Sequence, residues 1–281
     1  MTFHIGPYFE TMINWMKDHF ASFFDGMAAV LESSIGLFKQ LLKSAPPVVM
    51  IIVMAALAWW ACGLKKWGLM VFTILGMSLV WLMELWGATM QTLALVLSST
   101  LLALLIGVPL GIACGRSKRA EEILRPTLDF MQTMPAFVYL IPAVIFFSLG
   151  KVPGAVATVI FAMPPCVRLT TLGLRQVPKE MLEATNSFGA TASQLLFKVQ
   201  LPMALPSILA GVNQTIMLAL SMVVIAAMIG AGGLGDVVLR GITQMRIGQG
   251  FEGGLAIVVL AMYLDRVTHA LGSRSSRRKP E

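Results

Sequence analysis

Apolar residues at Phe9, Met12, Ile13, Met16, Phe20, Phe23, Phe24, Met27, Val30, Leu31 and Ile35 recur at spacings of three and four, with Glu10, Asn14, Lys17, Asp18, Asp25 and Glu32 between them. That period predicts an amphipathic helix, not a membrane crossing. Its phenylalanines and Trp15 suit the membrane interface, and its apolar stripe suits equally a place against the protein's own outer surface. After Pro46 and Pro47 the pattern changes to unbroken apolar runs at 47–64, 67–86, 88–114, 127–150, 152–173, 208–231 and 253–271. A crossing of about 30 Å of hydrocarbon needs about 20 such residues, so the expectation is an all-α polytopic bundle of seven spans. The first is short, and the third and fourth are long enough to tilt or break. The pattern divides the chain into an N-terminal segment (1–45), two accessory spans (46–87), a main membrane domain (88–271) and a basic tail (272–281).

Composition agrees with lipid as the solvent. Apolar residues make up 57% of the chain and charged residues only 12%, with a mean hydropathy of +0.80. The first 30 residues do not read as a cleavable signal peptide, so the spans themselves carry the targeting. Cys62, Cys114 and Cys166 lie in separate apolar stretches without paired spacing or a neighbouring His, which excludes a disulfide framework or zinc site and leaves them as core residues. No metal site is expected.

The net charge of +7 has three readings: nucleic acid, anionic lipid or topology. Its distribution selects the last. Lys65 and Lys66, the group from Arg116 to Arg125, Arg168, Arg175, Lys179, Lys198 and the basic residues from Arg266 onward hold fifteen of the 21 basic residues and share one side. Lys17, Lys39, Lys43, Lys151, Arg240 and Arg246 fall on the other. The positive-inside rule then places the N-terminus outside and the C-terminus in the cytoplasm. Nucleic acid is not an expected partner.

Between the fifth and sixth spans a long cytoplasmic loop, 174–207, carries helix-forming residues on both sides of Gly189, which supplies a bend at low steric cost. Thr191 or Ser193 is placed to cap the second helix, and Pro202 to stop it. Phe188, Leu195, Leu196, Phe197 and Val199 give the loop an apolar side that either folds back on the spans or is covered by something else.

The residues Glu183, Ala184, Gly189, Val199, Leu201 and Pro202 keep the spacing of the EAA loop of ABC importer permeases, with Thr185 and Val199 departing from the usual Ala and Ile. The chain resembles that family from about Ala88 to Leu271. The stretches beginning at Met131 (MQTMPAFVYLIPAVIFFSLGKVPG), Val159 (VIFAMPPCVRLTTLGLRQVP) and Asn213 (NQTIMLALSMVVIAAMIGAGGLG) are similar to permeases for glycine betaine, proline betaine, carnitine and choline. The resemblance implies a type I importer membrane domain working as a homodimer in the cytoplasmic membrane, with two copies of a separate ATPase subunit and an extracytoplasmic binding protein. It implies that Ala190, Thr191 and Leu195 contact the ATPase beside a turn shaped by Glu183, Ala184 and Gly189. It also implies that this chain holds no cofactor, ATP and Mg residing on the partner. A methionine or other amino-acid permease is the neighbouring alternative, and an ion-coupled secondary transporter the more distant one.

Gly230, Gly232, Gly233 and Gly235 form GAGGLG, whose GxGxxG spacing closes a hydrophobic span rather than following a strand, so a tight outer turn is expected instead of a nucleotide site. No P-loop is present and no catalytic constellation is evident, so this chain is not expected to be an enzyme. Gln132, Thr133 and Tyr139 in the fourth span, and Asn213, Gln214 and Ser221 in the sixth, are candidates either for the translocation pathway or for hydrogen bonds between helices. Glu84, Asp129 and Asp265 sit near span ends, where water or helix dipoles satisfy them. Pro135, Pro142, Pro164 and Pro165 are expected to kink their helices.

Overall fold

The computed structural model describes residues 6–62 and 67–277, and among them every regular element is helical. Lys65, Lys66 and the end of the basic tail, both counted in the topology, lie outside the described residues. The elements are α1 (Gly6–His19), α2 (Ala21–Lys43), α3 (Pro47–Cys62), α4 (Trp67–Leu82), α5 (Trp86–Arg116), α6 (Lys118–Thr133), α7 (Leu140–Phe147), α8 (Lys151–Arg175), α9 (Lys179–Ser187), α10 (Ala192–Gln194), α11 (Leu201–Ala227), α12 (Leu234–Thr243) and α13 (Ile247–Arg277). A 3-10 turn, Ala136–Tyr139, precedes α7, and a π-helical stretch, Leu195–Gln200, joins α10 to α11.

The bundle is organised around α8, which packs against α5 on one side and α11 on the other. Glycines set these distances. Gly107, Gly111 and Gly115 recur every fourth residue along α5, placing them on one face. A Cβ at Gly111 would lie 2.5 Å from Thr170 Cβ and 2.8 Å from the Val167 carbonyl oxygen, and one at Gly115 would lie 2.8 Å from Leu174 Cδ1. The close approach admits a polar contact between helices: the Thr171 hydroxyl donates to Gly111 O at 3.1 Å as well as to Val167 O in its own helix at 2.8 Å. On the opposite side Gly173 faces Ala204 and Ser207, and Gly211 faces Cys166. Lipid tails are as apolar as leucine, so helices in a bilayer gain most from such intimate packing.

Among the described residues, five helices are long and apolar enough to cross a membrane by length and composition, or six if the bent pair α6 and Ala136–Phe147 forms one span. Set beside the seven expected spans, the described helices differ in detail at three places. First, the described parts of α3 and α4 are apolar helices of 16 residues each, on either side of residues 63–66, which lie outside the described residues. They form a short hairpin against α13, where the Tyr263 hydroxyl donates to Met54 O at 3.3 Å. Second, the N-terminal amphipathic pattern is two helices broken at Phe20, and α2 stays near one end of α8, with Phe24 against Phe146 and Phe147 of α7. Its Leu31 and Ile35 are buried with Leu95, Ala155 and Val156 of α5 and α8, so this stripe packs on the protein. Third, the run at 127–150 is not one kinked helix: its halves meet at 109°.

Local chemistry explains that elbow. Pro135 disfavours helical backbone at the residue before it, and Met134 accordingly adopts φ −73°, ψ 137°. The Tyr139 hydroxyl then donates to Met131 O at 2.5 Å, fastening one arm to the other. By contrast α8 runs on through the buried Pro164 and Pro165, and Pro142 sits within the first turn of α7, where its missing N–H breaks no helical bond.

If the α5–α8 distance depends on the missing side chain, Gly111→Ala lowers stability in detergent by about 1–3 kcal/mol. Gly254→Ala, where a Cβ meets nothing within 4 Å, leaves it unchanged or slightly raised. Thermal unfolding of the two purified variants makes the comparison.

Candidate functional site

At one end of α8 the chain leaves the bundle and builds a small helical elbow. Pro178 precedes α9, whose Glu183 and Ala184 are exposed, and α9 ends at Phe188. Gly189 follows at φ +73°, in the left-handed region, and a Cβ there would touch nothing within 4 Å. Its glycine requirement is therefore one of backbone conformation. Ala190 leads into Thr191, which caps the next turn through a reciprocal pair. Thr191 Oγ1 accepts from the Gln194 N–H at 3.3 Å, while Gln194 Oε1 accepts from the Thr191 N–H at 2.9 Å. Ser193, the other cap considered, is not used. Gln194 was missed by sequence reasoning, although Thr-x-x-Gln is a legible capping-box signal.

Pro202 does not stop the helix. Just before it the six residues Leu195–Gln200 widen to a π-helix, and the Leu201 N–H reaches back to Leu196 O. Proline brings no N–H and crowds the carbonyl four residues earlier, so a local widening accommodates it and the chain stays helical from Ala192 to Ala227. The expected loop 174–207 is thus mostly helix, and the expected span at 208–231 begins earlier and ends at Ala227. Leu196 is buried with Leu174, Ala204 and Ile208, with Leu201 against them, which roots the elbow in the bundle. Leu195 and Val199 are half-buried. Other apolar residues point away: Phe188 is 92% exposed, and Met181 and Phe197 are exposed too. The two dispositions weighed for the apolar side therefore coexist on different residues.

Beside this elbow, α6 is held to α8 by charge. Asp129 pairs with Arg168, and Glu121 with Arg175 at 2.5 Å, while Arg175 also donates to Cys114 O at 2.9 Å. These groups line an open pocket of ≈ 390 Å³. Asp129 therefore lies near the C-terminal end of α6, half exposed and facing an arginine. The sequence carried no signal for these pairs, which join residues 39 to 54 positions apart.

The candidate pathway residues part company. Asn213 Nδ2 donates to Asp265 Oδ1 at 2.9 Å, and the Thr268 hydroxyl donates to Asn213 Oδ1 at 2.6 Å, so Asn213 ties α11 to α13. Gln214 and Ser221 are exposed on another face of α11, Ser221 donating to Met217 O in its own helix at 3.0 Å. Gln132 and Thr133 are exposed at the α6 side of the 109° bend, whereas Tyr139 is buried. Glu84 stands exposed in the turn before α5 at φ +58°.

At the far end of α8 the glycine turn is tight. Gly230, Gly232 and Gly233 have φ of +88°, +76° and +75°. The turn is seated on α5, where Gln91 Nε2 donates to Ala231 O at 3.0 Å and the Leu234 N–H donates to Thr92 Oγ1 at 2.8 Å. A Cβ at Gly233 would lie 2.5 Å from that hydroxyl, and one at Gly235 would collide with the Val223 carbonyl oxygen. Gln91 and Thr92 were not foreseen. No group of His, Cys, Asp and Glu able to hold a metal occurs among the described residues.

Comparison with known proteins fits this geometry. Residues 107–278 match the family described as "Binding-protein-dependent transport system inner membrane component". The chain is 48% identical over 269 residues to the glycine betaine transport system permease protein OpuAB of Bacillus subtilis, covering 96% of this chain and 94% of that one. It is 51% identical over 270 residues to the glycine betaine/proline betaine transport system permease protein ProW of Escherichia coli, covering 95% and 75%. The glycine betaine/carnitine transport permease protein GbuB of Listeria monocytogenes is 51% identical over 257 residues, with 91% of each chain covered. Among solved structures, an inward-facing MetNI methionine ABC transporter shares the fold with a TM-score of 0.59 at 21% identity, over 66% of this chain and 93% of that one.

The hydrogen bonds of Asn213 set an expectation for stability. Asn213→Leu lowers the unfolding free energy in detergent by about 1 kcal/mol, because Asp265 and Thr268 lose their partner, and Gln214→Leu leaves it unchanged. Thermal melts of both variants decide.

Proposed function

The chain belongs to the binding-protein-dependent inner-membrane transport components, a multi-pass permease subunit of an ABC importer and not an enzyme, and on that footing we propose that it carries glycine betaine or a closely related quaternary ammonium solute into the cell. The three relatives above, each about half identical to it, are described as glycine betaine permeases. Two copies of the chain form the pathway, two copies of a partner subunit hydrolyse ATP with Mg, and an extracytoplasmic receptor delivers the solute. The N-terminus lies outside and the C-terminus in the cytoplasm, as the positive charge distribution favours.

One observation carries the mechanism. The segment from Met181 to Phe197 projects from the end of α8 with Phe188 almost wholly exposed, yet is rooted by Leu196 in the bundle and continuous with α11. A large apolar side chain left uncovered on a capped, rigid elbow suits a partner's groove. When ATP draws the two partner subunits together, the grooves pull Glu183 to Val199 with them. The continuous helix beyond Pro202 passes the displacement into the bundle. Receptor and nucleotide each shift the balance between inward- and outward-facing states only as far as they bind one better than the other. Of the acids an ion relay would use, Asp129 and Asp265 are engaged by Arg168 and Asn213, and Glu84 stands exposed in the turn before α5. This arrangement favours ATP over ion coupling.

Gly189→Val tests the elbow. The open space around Gly189 tolerates the side chain, whereas φ +73° does not, so the variant inserts normally and transport falls by about tenfold or more, equivalent to about 1.4 kcal/mol lost from coupling. Uptake equal to wild type at equal membrane abundance would defeat the assignment. Cross-linkers placed from Thr191 to Leu195 are expected to capture the ATPase subunit in active vesicles. Unlabelled carnitine, choline and proline betaine, competed against labelled glycine betaine uptake, rank the cargo; competition by methionine alone would reject the quaternary ammonium class.

A further inference from the structure

At the end of α8 opposite the elbow, α2 and the turn between α7 and α8 enclose a cleft of ≈ 570 Å³. Helix α8 has 25 residues, so about 37 Å separates its two ends, and a cytosolic elbow places the cleft on the outer side. Lys39 and Glu32 from α2 and Lys151 from the first turn of α8 supply its charge, and Leu149 and Gly150 form part of its rim.

We infer that this cleft is a docking pocket for an acidic surface element of the extracytoplasmic receptor; the inference rests on the importer reading above. The first argument is charge. Lys39 and Lys151 come from different elements and make no ion pair among the described residues, although the arginines facing α6 at the other end of α8 are both paired. With Glu32 as the only acid in the lining, the cleft carries a net positive charge that a carboxylate completes. Glu32 also favours a protein over a phosphate headgroup, because a protein surface can present a donor beside its acid.

The second argument is how the walls are held. Phe24 of α2 stacks on Phe146 of α7 with ring centroids 4.2 Å apart and also meets Phe147 edge-on at 5.8 Å. The floor is fixed by left-handed backbone at Ser148 (φ +62°) and by Gly150 at φ +140°. The Gly150 N–H donates to Ile229 O at 2.8 Å, and Gly230 lies in the cleft lining. A receptor seated here therefore touches α2, the short arm α7 of the elbow at Pro135, and the glycine turn that ends α11. Leu149, 73% exposed on the rim, adds an apolar contact beside the charges.

The test uses the full complex of this chain with its ATPase subunit in lipid nanodiscs, titrated with purified receptor loaded with glycine betaine, reading ATP hydrolysis. In the double variant Lys39→Glu, Lys151→Glu, the receptor concentration giving half-maximal stimulation is expected to rise about tenfold or more, with receptor-free hydrolysis unchanged. Added salt should weaken the receptor's effect on the unaltered complex and do so less in the variant. Lys17→Glu on α1 should titrate like the unaltered complex. If the reversed pair fails to assemble, Lys39→Gln, Lys151→Gln is expected to give a smaller rise in the same direction. A variant curve that superimposes on that of the unaltered complex overturns the inference and leaves the importer reading intact. So does a variant whose receptor response is normal but whose dependence on anionic lipid has changed. An unaltered complex that no receptor stimulates overturns both.

Discussion

The closeness of three helices governs this molecule. Inside a bilayer, burying leucine against leucine gains little over burying it against lipid, so a stable arrangement must come from contacts that lipid cannot imitate. The row Gly107, Gly111 and Gly115 provides them by bringing the backbones of α5 and α8 nearly together, and Gly173 and Gly211 repeat the device between α8 and α11. The consequences extend along the chain. Thr171 reaches across to Gly111 O, Arg175 reaches Cys114 O, and the Arg175 end of α8 is fixed well enough to launch α9 in a defined direction.

The proposed function uses the two ends of this seam. One end bears a capped elbow whose conformation demands glycine but whose surroundings are empty. The other bears a turn of three left-handed glycines clamped by Gln91 and Thr92. The contrast is informative: Gly189 is required by its own backbone conformation, whereas Gly233 is hemmed in by neighbours as well. A central seam resistant to deformation, with firmly held ends, suits alternating access, because packed interfaces switch between discrete arrangements more readily than they stretch.

Much of this was legible in the sequence. The all-helical class, the bend at Gly189 with Thr191 as cap, and the breaking power of Pro135 follow from periodicity, left-handed propensity and the lost N–H. Two further signals were present but unread: Thr-x-x-Gln at Thr191, and the four-residue glycine period from Gly107. Other features are written in no local pattern. The amphipathic stripe of α2 serves a membrane interface as well as a groove, and only the burial of Leu31 and Ile35 against α5 and α8 settles its place. The sharpness of the elbow depends on Tyr139 finding Met131 O, and the role of Asn213 on an aspartate 52 residues away. Pro202 misled because a proline reads as a stop, whereas a π-turn absorbs it.

That absorbed proline has a geometric consequence. Ala192 to Ala227 is one helical rod of 36 residues, about 54 Å from foot to tip. A lever of that length pivoting at its middle moves each extremity by about 5 Å for about ten degrees of tilt, in opposite directions. Because the helix is unbroken at the proline, motion at its Ala192 foot is carried to the opposite mouth.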